Sequence, residues 1–217
     1  MIFEYKDIIS LVGSPIKGII HVGGHHCQEC ETYLNNEADR VLVFEPVPKH
    51  FSVMRENIKD ERVKMYQIAL GSVSKTAEIY LSEFDDDRKL ESYNGQSSSL
   101  LEPHLHLSTY PDIKFPNKIE VEVRTLDSFI ESDGVDPAMF DMISLDVQGY
   151  ELEALKGSQQ FLPYIKCVYT EVNKAELYKN CPMVEDIDDF LGQYGFSRRR
   201  TVWVGNANWG DALYIKN

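Results

Sequence analysis

The stretch IIHVGGHHCQEC, from Ile19 to Cys30, decides the fold and raises the first question about function. Its apolar run ends in Gly23 and Gly24, a pattern typical of a buried strand that turns tightly towards a helix. The adjacent His25 and His26 and the C-x-x-C pair beside them indicate instead a metal or redox site. The rest of the chain has to decide between these interpretations.

Apolar runs of strand length alternate with amphipathic stretches along most of the chain. Five runs predict buried strands, at residues 18–24, 40–46, 63–71, 140–147 and 166–172. Helical spacing predicts helices at 27–36, 49–59, 149–162 and 184–195, and residues 119–130 predict a strand that leads into a short helix. Residues 76–84 alternate as an edge strand does, and residues 196–217 predict a terminal hairpin that turns at 206–210. This order indicates an α/β fold, a Rossmann-like doubly wound sheet with a C-terminal antiparallel hairpin.

Residues 83–117 break this pattern with clustered acids, Ser, Asn, Gly and prolines. A stretch this long without periodicity is usually a functional lid or a mobile segment. No repeat or linker divides the chain. We therefore interpret residues 1–217 as a single domain with a long insertion at about 83–117.

The charge balance excludes some partners. The chain carries 22 Lys and Arg against 35 Asp and Glu, a formal net charge of −13. Such a surface repels phosphate backbones and anionic lipids, so we expect no nucleic-acid partner. No apolar segment approaches the roughly 18 to 20 residues of a membrane span, so none is expected. Four cysteines in a chain of this length do not predict a disulfide framework, and a cytoplasmic location is the default expectation.

Acidic residues follow the predicted strands where a ligand of a doubly wound sheet would bind. Glu45 ends the second strand, 22 residues after Gly23. That matches the roughly 20-residue spacing at which an acid reaches the ribose hydroxyls of a nucleoside. Asp146 ends a later strand and would face the same crevice. The alternative is that both acids only cap the helices that follow them.

Seven short blocks together resemble the FkbM-type family of S-adenosylmethionine-dependent methyltransferases across most of the chain. They are HVGGHHCQE, VFEP, QIALG, SSSLL, VRTLDSF, DMISLDVQGYELEALKG and WGDALY, and their order and spacing make the resemblance specific. The resemblance implies the class I methyltransferase fold and S-adenosylmethionine as cofactor. It also implies the cofactor-binding residues, which are Gly23, Gly24, His25, Glu45, Pro46, Ala69, Leu70, Ser98, Ser99, Asp146 and Val147. Among these, the glycines would lie near the methionine part, Glu45 at the ribose and Ala69-Leu70 at the adenine.

Two residues depart from the family pattern. His21 stands where an acid usually begins the first motif, which removes a possible carboxylate partner for the cofactor's amino group. Cys27 stands where the last glycine of the motif is usual, which adds a side chain to a tight loop. A protein that had lost its activity would show such changes too.

The metal and redox interpretations are disfavoured. Consecutive residues on a turn point in different directions, and structural zinc sites usually draw two pairs of ligands from separated segments. A redox role for Cys27 and Cys30 would need its own fold context. We therefore expect no metal ligands in this stretch, although His25 and His26 can still line the cofactor site.

Transfer of a methyl group to a hydroxyl needs an aligned acceptor oxygen and a base for its proton. Asp146 is the first candidate for the base, Glu171 the second, and His104 or His106 from the insertion the third. Asp146 and Glu171 could also hold a divalent cation, which is possible but not expected. Trp209 with Asp211 would offer a stacking face and a hydroxyl acceptor to a sugar, unless Trp209 only packs in the core.

We therefore predict an O-methyltransferase that acts on a saccharide or small-molecule hydroxyl. Two alternatives stay open. One is a non-catalytic nucleoside- or glycan-binding module on the same fold. The other is an NAD-dependent oxidoreductase, disfavoured because no G-x-G-x-x-G follows the first strand.

Overall fold

The structure, a computed structural model, describes residues 1–84 and 94–217. Its helices are α1 (Tyr5–Val12), α2 (Gln28–Asn35), α3 (Pro48–Asn57), α4 (His106–Thr109), α5 (Ser128–Ser132), α6 (Glu151–Lys156) and α7 (Val184–Gly192). Its strands are β1 (Gly18–Val22), β2 (Arg40–Phe44), β3 (Val63–Tyr66), β4 (Ala69–Leu70), β5 (Lys75–Phe84), β6 (Ile113–Arg124), β7 (Met142–Leu145), β8 (Cys167–Asn173), β9 (Phe196–Trp203) and β10 (Trp209–Lys216).

A seven-stranded sheet organises the molecule, in the order β3-β2-β1-β7-β8-β10-β9. The first five strands are parallel, and β10 lies antiparallel between β8 and β9. The predicted fold class is confirmed, including the terminal hairpin. Strand order reverses between β1 and β7, which is where such sheets bind ligands.

The central strands lie between two apolar layers, so they are buried on both faces as in other parallel sheets. Alternate residues of β1 serve the two layers. Ile20 packs with Phe129 and Leu155 in one layer, and Ile19 packs with Tyr33 in the other. This double burial explains why the sequence shows continuous apolar runs rather than alternation.

A second, three-stranded sheet has the order β4-β6-β5 and changes two predictions. The run at 63–71 is not one strand, because β3 joins the large sheet whereas β4 pairs with β6 in the small one. The predicted insertion is also more regular than expected, since β6 begins at Ile113 and pairs with β5 out to Phe84. β5 is an edge strand, as predicted. Part of the predicted insertion, residues 85–93, lies outside the described residues.

Two smaller differences concern element ends. The helix expected over 149–162 ends at Lys156 and continues as turns. The hairpin turn expected at 206–210 is displaced, because β10 already begins at Trp209. Across the described ranges, no helix has the length and apolar character that crossing a membrane requires.

Candidate functional site

A cavity of about 540 Å³ opens at the carboxyl ends of the central strands, at the reversal between β1 and β7. Its size suits a cofactor together with a small ligand. Five carboxylates line it, and no Lys or Arg side chain from the described ranges does. The five are Glu29, Glu45, Asp146, Glu171 and Asp211. Met1 also lines the cavity and its amino group pairs with Glu29 at 3.1 Å, so acids still outnumber cations on this wall, which favours a ligand that carries positive charge.

The loop after β1 is fixed by close packing against neighbouring strands. Gly23 has φ +87°, and a Cβ atom there would overlap the main-chain carbonyl of Asp146. The main-chain N–H groups of Gly23 and Gly24 both donate to the carbonyl of Phe44, at 3.0 and 2.9 Å. The two glycines line the cavity. The lack of a side chain at Gly23 also lets the ends of β1 and β7 meet, and the lack of one at Gly24 leaves room for Val43 and Met54.

Glu45 is 5% exposed and connects two loops. Its Oε2 accepts from the main-chain N–H of His25 at 2.7 Å, and its Oε1 accepts from that of Val47 at 2.7 Å. Burial raises the pKa of Glu45 to about 7, although both hydrogen bonds act in the opposite direction. Each oxygen retains a further lone pair for a hydroxyl of a ligand.

Asp146 and Glu171 are joined by one side-chain amide. Nε2 of Gln148 donates to Oδ1 of Asp146 and to Oε2 of Glu171, each at 2.8 Å. The Asp146 side chain is exposed to the cavity, and desolvation by the protein groups around it raises its pKa to about 6. Burial and then the negative charge of Asp146 raise the pKa of Glu171 well above its ordinary value. The protonated form of Glu171 and the ionised form of Asp146 are therefore the favoured pair near pH 7.

Two further acids, Glu29 and Asp211, line the cavity together with His21. His21 is 4% exposed and its Nδ1 lies 2.9 Å from the Tyr33 hydroxyl, so it is held within the core. Glu29, in the first turn of α2, presents a carboxylate to the same cavity and accepts from the Met1 amino group at 3.1 Å. It ends the HVGGHHCQE block, but the resemblance implied no role for it, so its place on the wall was not predicted. Asp211 accepts from the main-chain N–H of Ile2 at 2.8 Å and from the Tyr169 hydroxyl.

Most of the predicted site residues meet in this cavity. Those on its wall are Gly23, Gly24, His25, Glu45, Pro46, Ala69, Leu70, Ser98, Asp146, Val147, Glu171, Trp209 and Asp211. Ser99 and His104 are not on it. Ser99 is buried and its Oγ donates to the carbonyl of Gln148 at 2.7 Å, whereas His104 is half-exposed and lies 3.7 Å from Glu176.

Of the two insertion histidines, His106 is the one that lines the cavity. It is 3% exposed, and burial lowers its pKa to about 4, so its ring is neutral near pH 7. Trp209 donates through Nε1 to the Tyr110 hydroxyl at 2.7 Å and forms part of the same wall. The cavity wall therefore combines an aromatic surface with the acids.

Cys27 and Cys30 form a disulfide, which the sequence analysis did not expect. Because their sulfur atoms are bonded to each other, neither thiolate is available to a metal in this form. Cys27 adopts φ +50°, a left-handed conformation that favours the glycine usual at this position. The sequence departure therefore coincides with a locally strained backbone.

His25 and His26 do not diverge as expected. Their rings stack with centroids 3.9 Å apart, and His50 from α3 packs against both. Burial lowers the pKa of all three histidines, for His50 to about 3. The convergence depends on His50, which α3 brings to the loop and which the sequence of the turn does not contain.

Known proteins share this chain's sequence pattern and fold. The family model for the methyltransferase FkbM domain matches residues 21–198. The 2-O-methyltransferase NoeI of Sinorhizobium fredii is 28% identical over 192 residues, 88% of this chain and 77% of that protein. Sp1610 of Streptococcus pneumoniae, a candidate tRNA (m1A22) methyltransferase, superposes with a TM-score of 0.53 at 10% identity, covering 100% of this chain and 70% of that one. TrmK of M. capricolum with bound S-adenosyl-homocysteine gives a TM-score of 0.50 at 7% identity, again over 100% and 70%. At such identities the two structures bear on the fold alone.

Fold and site together define a class I methyltransferase with S-adenosylmethionine as its cofactor. The chain belongs to the FkbM methyltransferase domain family, because that family model matches residues 21–198, most of its length. The predicted resemblance is thereby confirmed.

Proposed function

We propose that this methyltransferase acts on a hydroxyl group of a saccharide or a saccharide-like small molecule. The observation that carries the proposal is the cavity at the strand reversal, which has five carboxylates and no Lys or Arg among the described residues on its wall. A sulfonium cofactor with an ammonium group suits this wall, whereas the pyrophosphate of NAD does not. NoeI, a 2-O-methyltransferase, supports transfer to oxygen.

The residues of the cavity fit the parts of the cofactor. Glu45, held rigidly by two main-chain N–H groups, would accept hydrogen bonds from the ribose hydroxyls through its remaining lone pairs. Gly23 and Gly24 would leave room for the methionine part, and Ala69 with Leu70 would cover the adenine. Pro46, Val147, His25 and Ser98 would complete the enclosure. Glu29, which pairs with the Met1 amino group at 3.1 Å, would supply the carboxylate that His21 lacks by exchanging that partner for the ammonium group of the cofactor.

Asp146 would take the proton of the substrate hydroxyl. With a pKa of about 6 it is mostly ionised near pH 7 and remains basic enough to accept a proton. When bound, the cofactor supplies an electrophilic methyl carbon for in-line displacement by the substrate oxygen. Glu171, protonated, would hold a second substrate hydroxyl as a donor or acceptor. The Gln148 amide already lies between the two acids, the place where a shared divalent cation would need to bind.

The aromatic wall supports a sugar-like substrate. Trp209 is oriented by its hydrogen bond to Tyr110, and both line the cavity with His106. A rigid aromatic face beside hydroxyl acceptors suits a ring that is apolar on its faces and polar at its edge. Nucleic acid is a weaker candidate, since the net charge of −13 and the acidic cavity would repel phosphates.

Calorimetry with S-adenosylmethionine and a transfer assay would test the proposal. Glu45→Ala should weaken cofactor binding about 100-fold, because the hydrogen bonds to both ribose hydroxyls are lost. Glu78→Ala, an exposed acid paired with Lys118, should leave it unchanged. Asp146→Asn should keep cofactor affinity within a few fold and slow transfer about 10²–10⁴-fold.

The acceptor would be identified with radiolabelled cofactor offered to a panel of glycosides, oligosaccharides and tRNA. Label on a sugar hydroxyl is expected. Full cofactor affinity in Glu45→Ala would refute the ribose assignment. Label on tRNA with none on the sugars would refute the substrate class.

A further inference from the structure

Three histidines cluster beside the cofactor cavity. His25 and His26 come from the loop after β1 and His50 from the first turn of α3, and one ring nitrogen of each lies within 4.8 Å of the other two. We call these residues the histidine cluster. The cavity chemistry described above uses neither His26 nor His50, which are not on the cavity wall.

The separation of two of these nitrogens already suits a shared ion. Nδ1 of His50 lies 3.3 Å from Nε2 of His26. Tetrahedral zinc binds imidazole nitrogens at about 2.0–2.1 Å, which places two ligand nitrogens about 3.3 Å apart. The spacing of this pair therefore already matches that of two nitrogen ligands on one ion.

In the third ring, that of His25, Nε2 makes a hydrogen bond and Nδ1 makes none among the described residues. Nε2 of His25 lies 3.0 Å from the carbonyl oxygen of Asn94, so it carries the proton and donates. Nδ1 is then the lone-pair nitrogen, and it is buried without a hydrogen-bond partner among the described residues. Metal-bound histidines usually donate their other ring N–H to such a carbonyl.

His50 is oriented in a comparable way. A Cβ atom at Gly95 would overlap Nε2 of His50, so the chain covers that side of the ring closely. The nitrogen that stays open is Nδ1, and it faces His26. Asn94 thus orients the His25 ring by a hydrogen bond, and Gly95 confines the His50 ring by close contact.

We propose that the histidine cluster binds one divalent transition-metal ion through a nitrogen of each ring, with water at the open position. Three imidazoles without a thiolate or carboxylate favour zinc, nickel or copper over magnesium or calcium. The positive charge of the nearby Lys49 limits the affinity to below that of a structural zinc site.

The position gives the ion an effect on cofactor binding. The main-chain N–H of His25 donates to Oε2 of Glu45 at 2.7 Å. An ion on the His25 ring would fix the loop that orients this carboxylate and so strengthen cofactor binding. The cluster would act as a metal-dependent support of the cofactor site, separate from the methyl transfer itself.

Metal binding would require one histidine ring of the cluster to change its orientation. The rings of His25 and His26 now stack at an interplanar angle of 25°, and stacked rings do not both point a lone pair at one ion. One of them must therefore rotate. The test has to detect ligation directly rather than proximity.

Cobalt(II) provides that test, because four-coordinate Co²⁺ absorbs strongly in the visible range. The oxidised protein, without reductant or chelator, would be titrated with CoCl₂ and then with ZnSO₄. One equivalent of cobalt should bind and be displaced by zinc. His26→Ala and His50→Ala should each weaken binding at least about 10-fold, the low end of the loss that even a supporting residue causes at metal sites.

Two controls make the result decisive. His104→Ala removes a half-exposed histidine outside the cluster and should bind cobalt like the wild type. The double variant Cys27→Ser, Cys30→Ser should also keep the cobalt spectrum, since sulfur is no ligand here. If His50→Ala does not fold, the more exposed His26→Ala decides alone.

The proposal is overturned if the wild type shows no cobalt spectrum, or if the cluster variants bind as well as His104→Ala. Loss of the spectrum in the double cysteine variant would also overturn it. The cobalt titration needs no methyl acceptor, so its result can refute the metal site without bearing on the proposed function. Calorimetry with S-adenosylmethionine, with and without zinc, then measures how much the bound ion strengthens cofactor binding through Glu45.

Discussion

Gly23 and Asp146 lie in direct main-chain contact where β1 and β7 diverge. A Cβ atom at Gly23 would overlap the Asp146 carbonyl oxygen, and Gly23 has φ +87°, which other residues rarely adopt. The same close approach brings Asp146 to the loop that reaches Glu45. Gly23 therefore helps to position both Glu45, which we propose binds the cofactor, and Asp146, which we propose accepts the proton.

Gly23→Ala should therefore lower the free energy of unfolding by about 3 kcal/mol, combining backbone strain with overpacking. Gly195→Ala is the matched control, because Gly195 has φ +82° with nothing within 4 Å of the added Cβ. It should cost only about 1 kcal/mol. Urea denaturation measures both. Equal losses would show that the contact with Asp146 contributes nothing.

The rate of methyl transfer should depend on the ionisation of Asp146. Its pKa is about 6, so transfer should fall about tenfold per pH unit below that value and level off above it. A pH–rate profile at saturating cofactor measures this. A rate that stays constant down to pH 4.5 would exclude Asp146 as the base.

Gln148→Met should move this acidic limb to higher pH. The Gln148 amide donates to the ionised Asp146 and so lowers its pKa, opposing the effect of burial. A hydrogen bond to a charged group contributes about 1.5 kcal/mol, which corresponds to about one pH unit. Gln159→Met, which alters an exposed glutamine outside the cavity wall that donates to the Lys156 carbonyl and accepts from the Tyr194 hydroxyl, should leave the profile unchanged. A profile that stays in place in Gln148→Met would mean that the amide does not tune Asp146.

Glu45 should make the folded protein less stable as the pH rises, whereas an acid in a salt bridge makes it more stable. Its pKa is raised from 4.5 to about 7, so the folded protein keeps a proton that the unfolded chain has released. The free energy of unfolding should therefore fall as the pH rises from 4.5 to 7, by at most about 3 kcal/mol from this group. Glu45→Gln should reduce that fall, measured by urea denaturation at pH 5 and pH 7.5. An identical pH dependence in wild type and variant would contradict the raised pKa.

The sequence predicted the parallel strands because each is buried on both faces and so appears as an unbroken apolar run. For the same reason it could not show that residues 63–71 divide between two sheets, since an apolar run does not mark where a strand changes partners. The spacing between Gly23 and Glu45 was informative because it spans the helix that connects β1 to β2, and this connection places both residues at the same edge of the sheet.

Residues brought in by helices were harder to predict. Glu29 and His50 lie on the helices α2 and α3, in stretches whose periodicity reports only the face that packs on the sheet. Gln148 follows a strand end directly, yet an amide that bridges two acids leaves no pattern in the sequence. The disulfide was missed because a count of four cysteines over 217 residues gives no reason to pair two of them.

Cys27 offers a last prediction, because its disulfide and its backbone conformation act in opposite directions. The bond to Cys30 closes a short loop, which in the chain-entropy model stabilises the fold by about 2 kcal/mol. The left-handed φ of +50° costs a non-glycine residue about 1 kcal/mol. Cys27→Ala should therefore lose about 2 kcal/mol of unfolding free energy, whereas Cys27→Gly should lose only about 1, because glycine relieves the strain.

Chemical denaturation with and without dithiothreitol separates these terms. Reductant should destabilise the wild type to the level of Cys27→Ala and leave both variants unchanged. Cys27→Gly, which restores the residue usual at this position of the family motif, should also bind S-adenosylmethionine within a few fold of the wild type. If the glycine variant were no more stable than the alanine variant, the left-handed backbone at Cys27 would carry no strain. If reductant left the wild type unchanged, the disulfide would contribute nothing to stability.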